Sequence, residues 1–151
     1  EFRWLPPASG EARAYVTGIC RELAGLGFDE ILLDNCGFPT RGDLDKIRGG
    51  DRYDAENLTG PMELFFQELT AALADYPEVT VSVVSSPAVL SGQSDGSGLT
   101  TALLEQYAGR VLAAQEGEEP LPTLADGMVI PILAQPGDPA QTQWAVLNVQ
   151  S

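Results

Sequence analysis

Apolar residues along this chain recur at two spacings in turn, and the alternation predicts helices and strands that take turns. Between residues 11 and 26, Tyr15, Ile19 and Leu23, flanked by Val16, Cys20 and Leu26, stand at helical spacing and predict a helix with one buried face. Ser9 is placed to cap it, Glu11 suits the positive end of its dipole, and Gly25 and Gly27 end it. Ile31-Leu32-Leu33 is an unbroken apolar run of the kind found in a parallel strand covered on both faces, and Asn35, Gly37 and Pro39 stop it. Thr59 with Gly60 and Pro61 starts a second helix that runs to about Asp75, with Phe65, Leu69, Ala72 and Leu73 inward. Pro77 bars its continuation. The β-branched run from Val79 to Val84 predicts a strand, and residues 99–114, with Leu103, Leu104, Tyr107 and Val111 inward, predict a third helix. Gly127 to Leu133 predicts another buried strand, broken near its end by Pro131. Two shorter strand candidates lie at the ends, Phe2 to Leu5 and Trp144 to Val149.

This order predicts an α/β fold of alternating βα units on a parallel sheet. Strands 30–34, 79–85 and 127–133 are expected as parallel neighbours in that order, with helices 11–26, 60–75 and 99–114 on one side through right-handed crossovers. A barrel and a doubly wound sandwich are both built from such units, and both place their sites at the carboxyl ends of the strands.

Asp34 stands at such an end and is the first candidate for acid, base or nucleophile. Asn35 and Phe38 follow it, Ser85 and Ser86 end the next strand, and Gln135 and Asp138 lie just past the strand at 127–133. Asn35, Phe38, Arg41, Ser85, Gln135 and Asp138 are therefore the candidate substrate contacts, and Asp95, in the polar loop 91–98, and Asp138 are the candidate partners for Asp34. Asp29 and Glu30 precede their strand and belong to the opposite end, where capping and turn structure are their expected work. The connection from Asn35 to Leu58 is long for a βα loop and holds Arg41, Lys46, Arg48 and Arg52 among Asp43, Asp45, Asp51 and Asp54. Such a loop is either a solvated, self-paired charged segment or a flap over the carboxyl face.

Composition removes several classes. With 22 acidic and 8 basic residues, a net charge of −14 and no histidine, the surface repels phosphate backbones and anionic lipid heads. Nucleic acid and membrane insertion are not expected. Without histidine the serines cannot form a Ser-His-Asp triad, and loop 91–98 lacks the Lys-Ser/Thr pair of a phosphate-binding loop. Cys20 and Cys36 have no metal-type spacing and no evident reason to face each other, so no metal, no cofactor and no disulfide are expected.

The stretch Gly27-Phe28-Asp29-Glu30-Ile31, with Asp34, Phe38 and Pro39, resembles the Gly-Phe-Asp-Glu-Ile-x-x-Asp-x-x-x-Phe-Pro signature of a family of bacterial proteins read as glycoside hydrolases with a TIM-barrel catalytic domain. Trp4-Leu5-x-Pro7 is similar to that family's Trp-Leu-Asp-Pro strand end, and the run from Ala125 through Asp126 to Leu133 resembles its Asp-Tyr-Ile-x-Pro-Met strand. The resemblance implies a barrel, carbohydrate as partner and an extracellular or cell-surface location. A whole barrel takes about 250 residues. At 151 residues, opening on Glu1 rather than methionine, the chain is expected to be a divergent member or the carboxyl-terminal half of a longer protein, with an exposed apolar edge and a tendency to self-associate. Family members usually read Asp-Tyr-x-Arg-Phe-Pro where this chain has Asp34-Asn35-Cys36-Gly37-Phe38-Pro39, and their later strand usually ends in Tyr-Pro-Ser-His where this one ends Ala134-Gln135-Pro136-Gly137-Asp138. These departures keep open a non-catalytic carbohydrate-binding or assembly role.

Overall fold

A computed structural model describes residues 4–125, 127–138, 140 and 144–146. The elements follow in the order α1 (Gly10–Gly25), β1 (Glu30–Leu33), α2 (Leu44–Arg48), α3 (Thr59–Ala72), β2 (Thr80–Ser85), α4 (Pro87–Leu90), α5 (Thr101–Tyr107), β3 (Arg110–Ala114) and β4 (Val129–Ile132). The four strands form one all-parallel sheet in the order β1-β2-β3-β4. The fold is therefore α/β as the alternation predicts. Among the described strands the order never reverses, whereas a doubly wound sheet reverses at its switch point.

One expected helix proves to be two elements. Within residues 99–114 the helix ends at Tyr107, Ala108 and Gly109 turn the chain, and Arg110–Ala114 is a strand inserted between β2 and β4. Strands 79–85 and 127–133 are thus not adjacent. Leu103 and Leu104 do face the core from the helix, while Val111 reaches it from the strand. A short apolar run of this kind fits either period, and Gly109 decides the matter by ending the helix.

Strand parity separates the two faces of the sheet. Ile31, Leu33, Val83, Val111 and Ala113 share a face and join one core with Cys20 and Ala24 of α1, Phe65, Phe66 and Leu69 of α3, and Leu103 and Leu104 of α5. Phe66 is its centre, 1% exposed, edge-on to Phe65 and stacked on Tyr107 at 5.3 Å. The opposite face carries three diagonal rows, each stepping two residues forward from β1 to β2 and then following the register to β3: Glu30, Ser82 and Arg110, then Leu32, Val84 and Leu112, then Asp34, Ser86 and Ala114. In the first row Ser82 Oγ donates to Glu30 Oε1 at 2.6 Å and Arg110 reaches across β2 to hold Glu30 with two guanidinium nitrogens. Glu30 is therefore a cross-strand tie at the amino end rather than a turn residue. The Arg110 and Ser82 hydrogen bonds hold its carboxyl below the ordinary range, against a smaller opposing effect of burial.

Ser9 caps α1 as expected, accepting from Ala12 N. At α3 the cap is Asn57, whose Oδ1 accepts from Gly60 N at 3.0 Å, ahead of the Thr59-Gly60-Pro61 start. The buried face of α1 is Thr17, Cys20 and Ala24, whereas Tyr15 is 63% exposed and Ile19 40%. The reason is packing: α1 lies on α3 and buries the stripe turned toward it, leaving Tyr15 in solvent and Ile19 beside the edge of β1 that is unpaired among the described residues. The expected strand at 2–5 is not formed at Trp4 and Leu5, and Phe2 and Arg3 lie outside the described residues. At the other end Ala145 forms a single parallel bridge to Ile132, with residues 147–149 outside the described set.

Candidate functional site at the carboxyl edge of the sheet

Asp34 leaves β1 on the face of Glu30 and Leu32, away from the helices. It is exposed, and among the described residues its carboxylate has no hydrogen bond or ion pair with a side chain or backbone N–H. A carboxylate tied to its own loop, the structural alternative for such a residue, is not what the geometry shows. Asn35 follows with φ 52°, a left-handed conformation in which, among the described residues, no other non-glycine residue stands. Such strain collects at functional turns.

Two loops meet here. Phe38 N donates to Ser97 O at 2.8 Å, and Gly37 lies so close to Ser97 that a Cβ would stand 2.4 Å from its carbonyl oxygen. Within the second loop Asp95 is held on both oxygens, by Ser86 Oγ at 2.6 Å and by Ser97 N at 2.9 Å. Burial works against the charge of Asp95, but the hydrogen bonds from Ser86 and Ser97 outweigh it and hold the carboxyl below its ordinary range. Asp95 is thus an oriented carboxylate. Ser86 also caps α4 by accepting from Val89 N, which fixes its hydroxyl.

The remaining candidates fall in several places. Phe38 is 3% exposed and packs between Trp4, at 5.8 Å, and Tyr53, at 5.7 Å, so it is a buried anchor for the long loop rather than an open platform. Ser85 pairs with Ala113 on the helix face, and its buried Oγ finds no partner among the described residues; the hydroxyl on the side of Asp34 is that of Ser86. Gln135 and Asp138 follow β4, three strand spacings from β1, or about 14 Å. Asp138 accepts from Ala140 N. Arg41 is exposed, and of the four cations in its loop only Lys46 makes an ion pair among the described residues, with Asp43. Sequence reasoning missed Ser86 and Ser97 as the partners of Asp95; the run Ser94-Asp95-Gly96-Ser97 carried no more than a loop signal.

Beside this edge, a cavity of about 470 Å³ runs along β1 under α1, from Leu23 and Ile31 to Asp34 and Cys36. Its walls are mostly apolar, among them Leu5, Val16, Ile19 and Leu32, which suits packed hydrocarbon better than a saccharide. Cys20 and Cys36 both line it as free thiols. Burial pushes the Cys36 thiol up to about 12, with the charge of Asp34 adding to the effect, so Cys36 is no nucleophile at neutral pH.

The architecture is a one-directionally wound parallel α/β unit whose carboxyl edge carries Asp34, without a hydrogen-bond partner among the described residues, and Asp95, which is hydrogen-bonded on both oxygens. Residues 1–96, more than half of the chain, match the model of DUF4015, described as a putative glycosyl hydrolase domain, and the chain belongs to that family. Neither the comparison with curated proteins nor that with solved structures yields a match.

Proposed function

We propose that the chain forms part of a (βα) barrel that binds carbohydrate and hydrolyses a glycosidic bond at the carboxyl edge of its sheet, with Asp34 as a carboxyl group of the reaction. The observation that carries this reading is Asp34 itself, exposed and without a partner among the described residues at the end of a parallel strand in a family of glycosyl hydrolase domains. Sites in barrels lie at that end. The barrel is supported by the unreversed order of the parallel strands. The outer edge of β1, unpaired among the described residues, and the apolar cavity next to it fit a further strand, supplied by more of a barrel or by self-association.

The test is hydrolysis of a panel of 4-nitrophenyl glycosides by the protein and by Asp34→Asn. A catalytic Asp34 gives a fall in kcat of at least about 10²-fold with an unchanged melting temperature. Unchanged turnover on a cleaved glycoside removes Asp34 from the reaction. Binding of oligosaccharide without cleavage by the unaltered protein supports the non-catalytic carbohydrate-binding role instead.

A further inference from the structure

Glycoside hydrolysis takes two carboxyl groups, and the geometry of the sheet points to the second. Glu30 is in register with Thr80, and its hydrogen-bond partner Ser82 lies two residues further along β2, 2.6 Å away. Diagonal neighbours on this face therefore reach one another. Asp34 follows Leu33, which pairs with Val83, so Asp34 is level with Val84 and Ser86 lies two residues further on. The diagonal is the same, four residues up, on the same face. Cα atoms so related stand about 7–8 Å apart.

Ser86 in turn donates to Asp95 Oδ2 at 2.6 Å. The circuit closes through the backbone: Ser97 N donates to Asp95 Oδ1, Ser97 O accepts from Phe38 N, and Phe38 lies four residues beyond Asp34. Asp34 and Asp95 thus stand on two loops of the same sheet edge, which touch where Gly37 leaves no room for a side chain. Carboxyl groups on either side of a serine suit the wider spacing of about 6.5–9.5 Å that inverting hydrolysis uses better than the spacing of about 5–5.5 Å for retention.

We propose that Asp95 is the second carboxylate of the site, the general base that works opposite Asp34; the assignment rests on the glycosidase reading above. In its protonated form Asp34 gives the proton to the glycosidic oxygen as the bond from that oxygen to C1 breaks. Asp95 takes a proton from the water whose oxygen bonds to C1 from the opposite face. An alcohol and a hemiacetal of inverted configuration result, and exchange of one proton with solvent restores both carboxyl groups. Ser86 and the Ser97 N–H hold Asp95 ionised and aimed, which is what a base requires.

Asp95→Asn can keep its one oxygen on Ser97 N and turn its NH2 toward Ser86 Oγ, which can accept, so its melting temperature changes little while kcat on a cleaved 4-nitrophenyl glycoside falls at least about 10²-fold. Asp95→Ala with sodium azide recovers turnover and yields the glycosyl azide of inverted configuration, a product that a merely structural Asp95 would not give. Retained turnover in Asp95→Asn, or no azide product from a folded Asp95→Ala, overturns the assignment, as does a first-formed sugar of retained configuration by NMR. If the unaltered protein cleaves none of the glycosides, the hydrolase reading falls and Asp95 with it; if it cleaves them and Asp95→Asn is indifferent, the assignment of Asp95 alone falls.

Discussion

Gly37→Ala tests whether contact between the two loops holds the candidate site together. The backbone of Gly37 is not in the left-handed region, so alanine meets no conformational penalty there and the effect is steric. Its Cβ would stand 2.4 Å from Ser97 O, 3.1 Å from Ser97 Cβ and 3.2 Å from Ser97 C. Backbone atoms cannot swing aside, so the loops must part. Overpacking of this kind costs about 1–3 kcal/mol. Loss of the bond from Phe38 N to Ser97 O adds about 0.5–1.5 kcal/mol. Together they amount to about 2–4 kcal/mol, or a fall in melting temperature of roughly 5–15 °C for a chain of this size. Thermal unfolding followed by circular dichroism measures it, and the near-ultraviolet signal of Trp4, packed at a tilt against Phe38, reports whether the loop has moved. A melting temperature within about 1 °C of the unaltered protein would refute the reasoning, because overpacked backbone cannot be free of cost.

Three further outcomes follow from other parts of the fold. Phe66→Ala, at the centre of the core and 1% exposed, should lower stability in urea by about 3–5 kcal/mol. Gly18→Ala, on an exposed turn of α1 with nothing within 4 Å of the added Cβ, should raise it by about 0.5–1 kcal/mol, and any loss would count against the placement of α1. The carboxyl of Glu30 is held below its unfolded value, so its contribution is present above the unfolded pKa and is lost as pH falls through the folded one. Because the pair with Arg110 is partly exposed, Glu30→Gln should cost only about 0.2–1 kcal/mol at neutral pH and should make the acid loss of stability shallower, as urea unfolding at a series of pH values would show.

What the sequence reveals here depends on how many physical constraints act on each stretch. β1 is legible because Ile31-Leu32-Leu33 is apolar without a break and is closed on both sides by residues that turn the chain. α1 is legible in extent but not in rotation: its apolar residues cover more than one stripe, and only packing on α3 selects Thr17, Cys20 and Ala24 over Tyr15 and Ile19. β3 is hidden because Leu103, Leu104, Tyr107 and Val111 happen to share helical spacing across a helix end, and the breaking signal is a single glycine. The strand-end position of Asp34 follows from the chain alone. That Ser86 rather than Ser85 shares its face does not, because parity in a strand is meaningful only once the register with β1 is known, and a shift of one residue exchanges them.

The two ends of the face away from the helices show what separates a structural carboxylate from an available one. At the amino end Glu30 meets Ser82 and, across β2, Arg110, so its charge is neutralised and its oxygens are filled. Four residues on, the same diagonal starts from Asp34 and passes Ser86, but the position that corresponds to Arg110 is Ala114, which brings no charge and leaves space. Ser86, the counterpart of Ser82, donates its hydrogen bond to Asp95 and not to the strand carboxylate. The middle row of Leu32, Val84 and Leu112 keeps the two polar ends apart, so Arg110 does not reach the upper one. One pattern of positions thus ties three strands together at one end, and at the other, by replacing a cation with a methyl group and redirecting a hydroxyl, leaves a carboxylate free to meet a ligand.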